Sequence, residues 1–387
     1  MNPLNLTYSK LFLLVVTSYF VAGLFGPAAV VFMLVFCSYN LRSKIAMDAT
    51  DKHGISSSAA TRCGGIAIWL LTLALLVTNG IFARETTPYF PNGHSDWNLI
   101  ILPAGFFLMG LIEDTTGRFS ATARLSLMLG GCIWFLIENA QLMPQKLDLP
   151  ILDWMLGIPW LAYTILMVCM VGVVNAFNTS DGANGLLTGT AVLLGCVFVK
   201  LMEAPYIWEV FLTCWTLFLL VNVVTGKMFL GDSGSYLLGA LFAVGFLWLY
   251  KTVDISFVLI LNLVFYPVLD FLMAMARRIR HRRPLMEPDD CHFHNLLFDF
   301  FQHHISDKTI ANSATGLTIA AAWPGTAVAL LYLGVPATSD TWLWVFFLSF
   351  VAFGIMRYAL NRWLANNTEI APVTAQHRGR ELGDTAV

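Results

Sequence analysis

The chain has 387 residues, of which 57% are hydrophobic and 12% charged; soluble proteins carry roughly 25% charged residues, so an ordinary soluble enzyme is excluded. The formal net charge of -2 offers no basic face to a nucleic acid, and a hydrophobic or amphiphilic partner among membrane lipids fits better. Cysteines stand singly, mostly inside apolar runs and without a C-x-x-C pair, and read as packing residues instead of a disulfide frame.

Apolar stretches able to cross a hydrocarbon core of about 30 Å recur along the chain. They predict an all-α, polytopic integral membrane protein of about eleven transmembrane helices. In order they cover residues 11–37, 64–82, 97–112, 123–142, 157–176, 186–203, 208–225, 235–250, 256–276, 314–334 and 341–361. The third is short and the fourth carries Glu138, so ten is the alternative count. The first run is too long for the apolar segment of a cleaved signal peptide and reads as a spanning helix. Between the second and third, Pro88, Pro91 and Asn92-Gly93 mark a loop. Except for Lys10, Arg84, Lys146, Lys200 and Lys251, the lysines and arginines fall on one side, which places the carboxyl terminus in the cytoplasm and the amino terminus outside. Residues 1–366 form a single membrane domain in this scheme, and 367–387 a flexible cytoplasmic tail.

Acidic residues are scarce, so those at the ends of apolar helices on the charged side are informative. In "NAFNTSDGANGL" the residues Asn175, Asn178 and Asp181 recur every three positions, on adjacent turns at a helix end, and Gly182 and Gly185 then break the helix. Backbone exposed at that depth needs protein or a water-filled cavity around it. A helix cap followed by a tight reversal is the plainer reading, and the added Asp favours the functional one. In "FLGDSGS" Asp232 lies between Gly231 and Gly234 just before a helix, where backbone and carboxylate can approach a phosphate or metal. Asp232, Ser233 or Ser235 as an N-cap of a helix beginning near Tyr236 is the alternative. Glu113-Asp114 ends a short helix and is either a third acidic point or ordinary termination.

Oxygen donors with room for water and phosphate suit Mg²⁺, and phosphoryl transfer at a membrane face follows from such a set. Arg277, Arg278, Arg280, Arg282 and Arg283 can supply positive charge, although the topological bias alone accounts for most of them. Cys291, His292 and His294 lack the second ligand pair of a zinc site. The two histidines fit donors to a pyrophosphate or uridine better, with solvent-exposed loop residues as the bland alternative.

Together these residues resemble the polyprenyl-phosphate N-acetylhexosamine-1-phosphate transferase family. The resemblance rests on "RCGGI", "GLIED", "NAFNTSDGANGL", "FLGDSGS", "YPVLD" and "RRP…PDDCHFH", in register over roughly residues 40 to 300. It implies attack of a lipid phosphate, undecaprenyl phosphate, on the β-phosphate of a UDP-N-acetylhexosamine at the cytoplasmic face of a bacterial inner membrane. UMP leaves, and lipid-linked polysaccharide synthesis of O-antigen or common-antigen type begins. Mg²⁺ is the implied cofactor, with Mn²⁺ as a substitute, and a homodimer is one implied assembly. Carried over by motif, Asp232 and Asp181 are metal ligands, and Asp114, Asp181 and Glu113 are catalytic carboxylates, Asp114 receiving a proton from the lipid phosphate. Asn175, Asn178, Asn184, Lys52, Arg283, His292 and His294 meet substrate, with Asp270 in support.

Three positions depart from the family pattern: Glu113 replaces the first of its paired aspartates, Asn184 its second central acid and Asn295 its third histidine. Thr115, Thr116 and Gly117 follow the acidic pair where the peptidoglycan branch carries a basic residue, which favours the branch using UDP-GlcNAc or a related sugar. Transfer of another UDP-N-acetyl sugar, and a weakly catalytic scaffold, are the alternatives. A transporter is remote, because the acids sit at helix ends and no internal repeat is visible.

Overall fold

A computed structural model describes residues 28–29, 31–40, 60–82, 97–202, 206–285 and 291–367. The expectations for Lys52, for the loop at 83–96 and for residues 368–387 fall outside them. The described residues are helical apart from short connections and one parallel bridge, Thr61 to Met228. In chain order the helices are α1 (Val31–Asn40), α2 (Gly64–Phe82), α3 (Trp97–Thr116), α4 (Ala121–Glu138), α5 (Pro150–Leu156), α6 (Pro159–Ser180), α7 (Leu186–Leu201) and α8 (Tyr206–Thr225). They continue with α9 (Gly231–Thr252), α10 (Phe257–Leu263), α11 (Phe265–Arg280), α12 (Phe293–His304), α13 (Lys308–Ala320), α14 (Thr326–Tyr332) and α15 (Thr341–Asn366).

Each predicted apolar stretch overlaps a described helix, and the protein is an all-α polytopic membrane protein. Among the described residues, six helices are long and apolar enough to cross a bilayer, or seven when the bent pair α10–α11 counts as one span. Val31–Asn40, Gly64–Leu75 and Leu186–Leu201 are shorter apolar helices. The boundaries differ from the sequence expectation where polar residues continue a helix. α3 runs on through Glu113 and Asp114 to Thr116, and α9 starts at Gly231, so Asp232 lies in its first turn instead of in a preceding loop. α12 is absent from the expected spans because it is amphipathic: Phe293, Leu296, Leu297, Phe300 and Phe301 follow the three-four spacing of one helical face.

The core is organised around α9, which is buried along nearly its whole length with α2, α3 and α6 packed against it. A cluster of rings fills the bundle where α7, α8 and α9 meet; Phe198 stacks on Trp208 at 4.0 Å, and Trp215 lies 5.3 Å from Phe242. α15 is the opposite case, leaving Trp344, Phe347, Leu348 and Ile355 more than half exposed, a surface suited to hydrocarbon.

Two breaks shape the end that carries the candidate residues. α10 and α11 meet at 74° around Val264, whose backbone leaves the helical region. Pro267 follows and has no N–H to continue the ladder. Between α13 and α14, Ala321–Gly325 forms a π-helical turn containing Pro324, and the widened turn seats Trp323 in the core. Cysteines 37, 63, 132 and 214 are buried, 196 and 291 are half-buried and 169 is exposed.

Candidate active site

Three carboxylates from separate helices converge on the first turn of α9. Every helix begins with N–H groups that lack a partner within the helix and carry partial positive charge. Leu230, at the N-cap of α9, supplies no side-chain acceptor. Asp181 Oδ2 accepts from Gly231 N–H at 3.0 Å, Asp114 Oδ1 from Asp232 N–H at 2.9 Å and Asp114 Oδ2 from Ser233 N–H at 2.8 Å. Capping by Asp232, Ser233 or Ser235 themselves is thereby corrected: the helix starts earlier than the apolar pattern suggests, and its cap comes from α3 and from the residue that ends α6.

Small residues permit this approach. A Cβ on Gly110 would run into the Asp232 carbonyl, and one on Gly65 would strike the Gly234 nitrogen. Gly231 has φ +70°, with Asp114 and Arg62 against it, so an L side chain is disfavoured by conformation and by space. The "RCGGI" motif meets the same place edge-on: Thr61 N–H donates to Lys227 O at 3.0 Å, Phe229 N–H to Thr61 O at 2.9 Å, and Gly64 N–H to Phe229 O at 2.9 Å.

Arg124, in the first turn of α4, donates through Nη1 to Asp232 Oδ2 at 3.0 Å and lies 3.3 Å from Glu113 Oε1. Glu113 Oε2 also accepts from Phe119 N–H at 2.9 Å, so this carboxylate closes the turn between α3 and α4 and holds Arg124. Asn178 accepts from Ser235 Oγ at 2.8 Å and donates to Tyr236 Oη at 3.4 Å, and Tyr236 Oη donates to Asp232 Oδ2 at 3.4 Å. Asn175, one turn earlier, bonds back to Val171 O at 2.8 Å.

The histidine segment reaches this cluster from the other side. His292 and His294 are buried, 7% and 3% exposed, which corrects the alternative of solvent-exposed loop residues. Their rings stack 5.3 Å apart and 4° from parallel. His292 is the N-cap residue of α12 and pairs through Nδ1 with Asp270 Oδ2 at 2.7 Å. His294 Nδ1 lies 3.0 Å from Tyr266 Oη. Its Nε2 occupies the space that a Cβ on Gly182 would need, so the histidine motif abuts the turn just after Asp181.

The same stretch of chain that builds this geometry is similar to known proteins. Residues 97–250, from the start of α3 almost to the end of α9, match the model described as "Glycosyl transferase family 4". The chain is similar to that family over this stretch, which is less than half of its length. It is 27% identical over 270 residues to a Bacillus subtilis (strain 168) protein named "Probable undecaprenyl-phosphate N-acetylglucosaminyl 1-phosphate transferase", with 67% of this chain and 71% of the relative covered. It is 28% identical over 281 residues to the "Decaprenyl-phosphate N-acetylglucosaminephosphotransferase" of Mycobacterium leprae (strain TN), covering 63% and 67%. A "Phospho-N-acetylmuramoyl-pentapeptide-transferase" of Geobacillus kaustophilus (strain HTA426) is 27% identical over 215 residues, covering 51% and 64%.

The donor set of this site fits a hard divalent cation of the kind that keeps its waters. Asp181 Oδ1 and Asp232 Oδ1 accept no hydrogen bond among the described residues. Burial pushes the Asp181 carboxyl well above the ordinary range. In the polar last turn of α3, beyond the apolar stretch, burial and then the neighbouring Asp232 charge raise Asp114 to about 6, against two backbone bonds that lower it. Crowded carboxylates of this kind hold their charge best beside a cation. Among the described residues no three His, Cys, Asp or Glu side chains form a metal cage; Mg²⁺ commonly takes one or two carboxylates and completes its shell with water and substrate oxygens.

Other sequence candidates stand apart from this centre. Asn184 is 1% exposed; its N–H donates to Asn312 Oδ1 at 3.0 Å and its Nδ2 to Ser313 Oγ at 3.3 Å, so it joins the turn to α13. Arg283 follows α11, half-buried, with its N–H on Arg278 O at 2.8 Å. Arg280 and Arg282 are exposed. Sequence reasoning missed Arg124, Tyr236 and Tyr266 as site residues. Arg124 carried a signal, as the one basic residue inside the 123–142 stretch; the two tyrosines are indistinguishable in sequence from packing aromatics.

Proposed function

We propose that the chain transfers an N-acetylhexosamine-1-phosphate, GlcNAc-1-phosphate first, from a UDP-sugar to undecaprenyl phosphate, releasing UMP. One observation carries the proposal: Asp114, Asp181 and Asp232, distant in sequence, meet at one helix end with Arg124 beside them and His294 against Gly182. The printed names of the first two relatives describe transferases for polyprenyl phosphate and an N-acetylglucosamine phosphate. They support the same substrate classes here.

In the proposed reaction an oxygen of the lipid phosphate bonds to the β-phosphorus of the UDP-sugar, the bond from that phosphorus to the bridging oxygen breaks, and UMP carries the bridging oxygen away. Asp181 and Asp232 would hold Mg²⁺, with Mn²⁺ as a substitute, which when bound neutralises diphosphate charge and polarises the phosphorus. Arg124 opposes the effect of burial on the Asp232 carboxyl and adds positive charge beside it. Asp114 fixes the α9 turn and, as the carboxylate nearest that backbone, is the candidate to receive the lipid phosphate's proton. Asn178 orients Tyr236 and Ser235 around Asp232. His292 and His294 meet the nucleotide-sugar, His294 as the donor to its diphosphate, Arg283 adds charge from the α11 end, and Lys52 meets the lipid phosphate. Glu113, Asn175 and Asn184 act through the residues they hold. The site lies at the cytoplasmic face of a bacterial inner membrane in an eleven-span chain, with 1–366 as the catalytic domain and 367–387 as a tail; the product initiates a lipid-linked surface polysaccharide.

The test is purified protein in nanodiscs with undecaprenyl phosphate, Mg²⁺ and a panel of UDP-sugars, following UMP release. Turnover is expected with UDP-GlcNAc, and Asp232→Asn abolishes it while the protein remains folded. No UMP from any UDP-sugar, or wild-type turnover in Asp232→Asn, overturns the proposal.

A further inference from the structure

Tyr266 and Asp270 stand four residues apart in α11 and therefore share a face of the helix. Both are 1% exposed, and each ends on the Nδ1 of a different histidine of the stacked pair. We infer that Tyr266 and Asp270 are positioning residues that fix which ring nitrogen each histidine presents to the nucleotide-sugar diphosphate, an inference that rests on the function proposed above.

The two contacts dictate different protonation patterns. A carboxylate only accepts. Asp270 Oδ1 takes Phe293 N–H at 3.0 Å and Oδ2 faces His292 Nδ1 at 2.7 Å, so the proton lies on His292 Nδ1. Arg357 of α15 steadies the segment by donating through Nη2 to Cys291 O at 2.9 Å. The Tyr266 hydroxyl, buried, has His294 as its hydrogen-bond partner, and a buried hydroxyl left without an acceptor is costly. It therefore donates to Nδ1, and the proton of neutral His294 lies on Nε2, directly over Gly182. The Tyr266 ring cannot swing away: it stacks 5.6 Å from Trp323 of the π-helical turn, at 26°. Asp270 thus holds the Nδ1–H of His292, whereas Tyr266 leaves His294 with its donor on Nε2. The partner that orients a histidine's first nitrogen decides what the second can do.

Full-length protein in nanodiscs, labelled with ¹⁵N-histidine, reads the tautomers directly. In Tyr266→Phe, which keeps the ring packing, the His294 signals should lose the Nε2–H pattern, with KM for the UDP-sugar raised about tenfold, the worth of one hydrogen bond, and kcat changed less than about threefold. In Asp270→Asn, which still accepts the Phe293 N–H, the His292 signals should lose their Nδ1–H preference while those of His294 persist. A wild-type tautomer pattern in either variant, or an unchanged KM in Tyr266→Phe, overturns the inference. Wild-type protein that shows both tautomers yet releases no UMP would fail the proposed function, and the two failures are distinct.

Discussion

Asp114 Oδ2 accepts the backbone N–H of Ser233 at 2.8 Å, so a side chain of α3 finishes the hydrogen bonding of a helix that begins more than a hundred residues later. Its Oδ1 does the same for Asp232 at 2.9 Å. The carboxylate is therefore both a candidate in the chemistry and the clamp between α3 and α9. The two roles separate by measurement.

Asp114→Ala leaves two N–H groups of α9 without acceptors, and each buried orphan costs about 1–3 kcal/mol. Asp114→Asn keeps one acceptor oxygen. The expected order of thermal unfolding in detergent is wild type above Asp114→Asn above Asp114→Ala, while turnover is lost equally in both. Equal stability of the two variants would remove the capping role.

Arg124 bridges Glu113 and Asp232 across the gap between α3 and α9. Arg124→Ala should lower kcat by at least about tenfold, the scale of one charge-assisted bond, and Arg124→Lys should recover part of it because a point charge keeps the field but not the fork. Because Glu113 acts by holding Arg124, Glu113→Gln should add almost nothing in the Arg124→Ala background; a double-mutant cycle measures that coupling. Additive effects would mean that the two residues act separately.

How much of this was legible in the sequence depended on whether a contact was local. Asn175, Asn178 and Asp181 fell where their spacing put them, at the end of α6, and the apolar stretches found the helices other than the short α5 and the amphipathic α12. The sharing of one helix end by Asp114, Asp181 and Asp232 could be expected only from topology, and their hydrogen bonds could not, since they run through backbone N–H groups of residues with no side-chain signature. The α9 start was misplaced because Gly231, Asp232 and Gly234 are poor helix formers, and tertiary caps override that propensity. Tyr266 and Asp270 were visible as "YPVLD" without a partner, because the histidines they hold come after a bend and a break in the chain.

Asn184 is a neutral amide where the resemblance leads to the expectation of an acid, and its surroundings suit an amide. Its Nδ2 donates to Ser313 Oγ at 3.3 Å and its side chain is enclosed by α13 and the end of α8. Asn184→Asp removes that donor and buries a carboxylate without a cationic partner in the bonds it makes, which is costly by the desolvation argument. The expected result is a lower unfolding temperature with no gain in turnover. A faster enzyme of unchanged stability would return this position to the catalytic centre.

Two glycines of α3 offer a paired test of the close approach to α9. Nothing lies within 4 Å of a Cβ built on Gly105, whereas one built on Gly110 collides with the Asp232 carbonyl and the Ser233 nitrogen. Both sit in the same helix, where Ala is intrinsically better than Gly by about 1 kcal/mol. Gly105→Ala should therefore leave folding and turnover unchanged or slightly raise the unfolding temperature. Gly110→Ala must push α3 away from α9, which breaks both Asp114 bonds together and moves Asp232 relative to Asp181. Folded yield in detergent and UMP release should both fall sharply for Gly110→Ala alone; equal behaviour of the two variants would mean that α3 and α9 do not pack this closely.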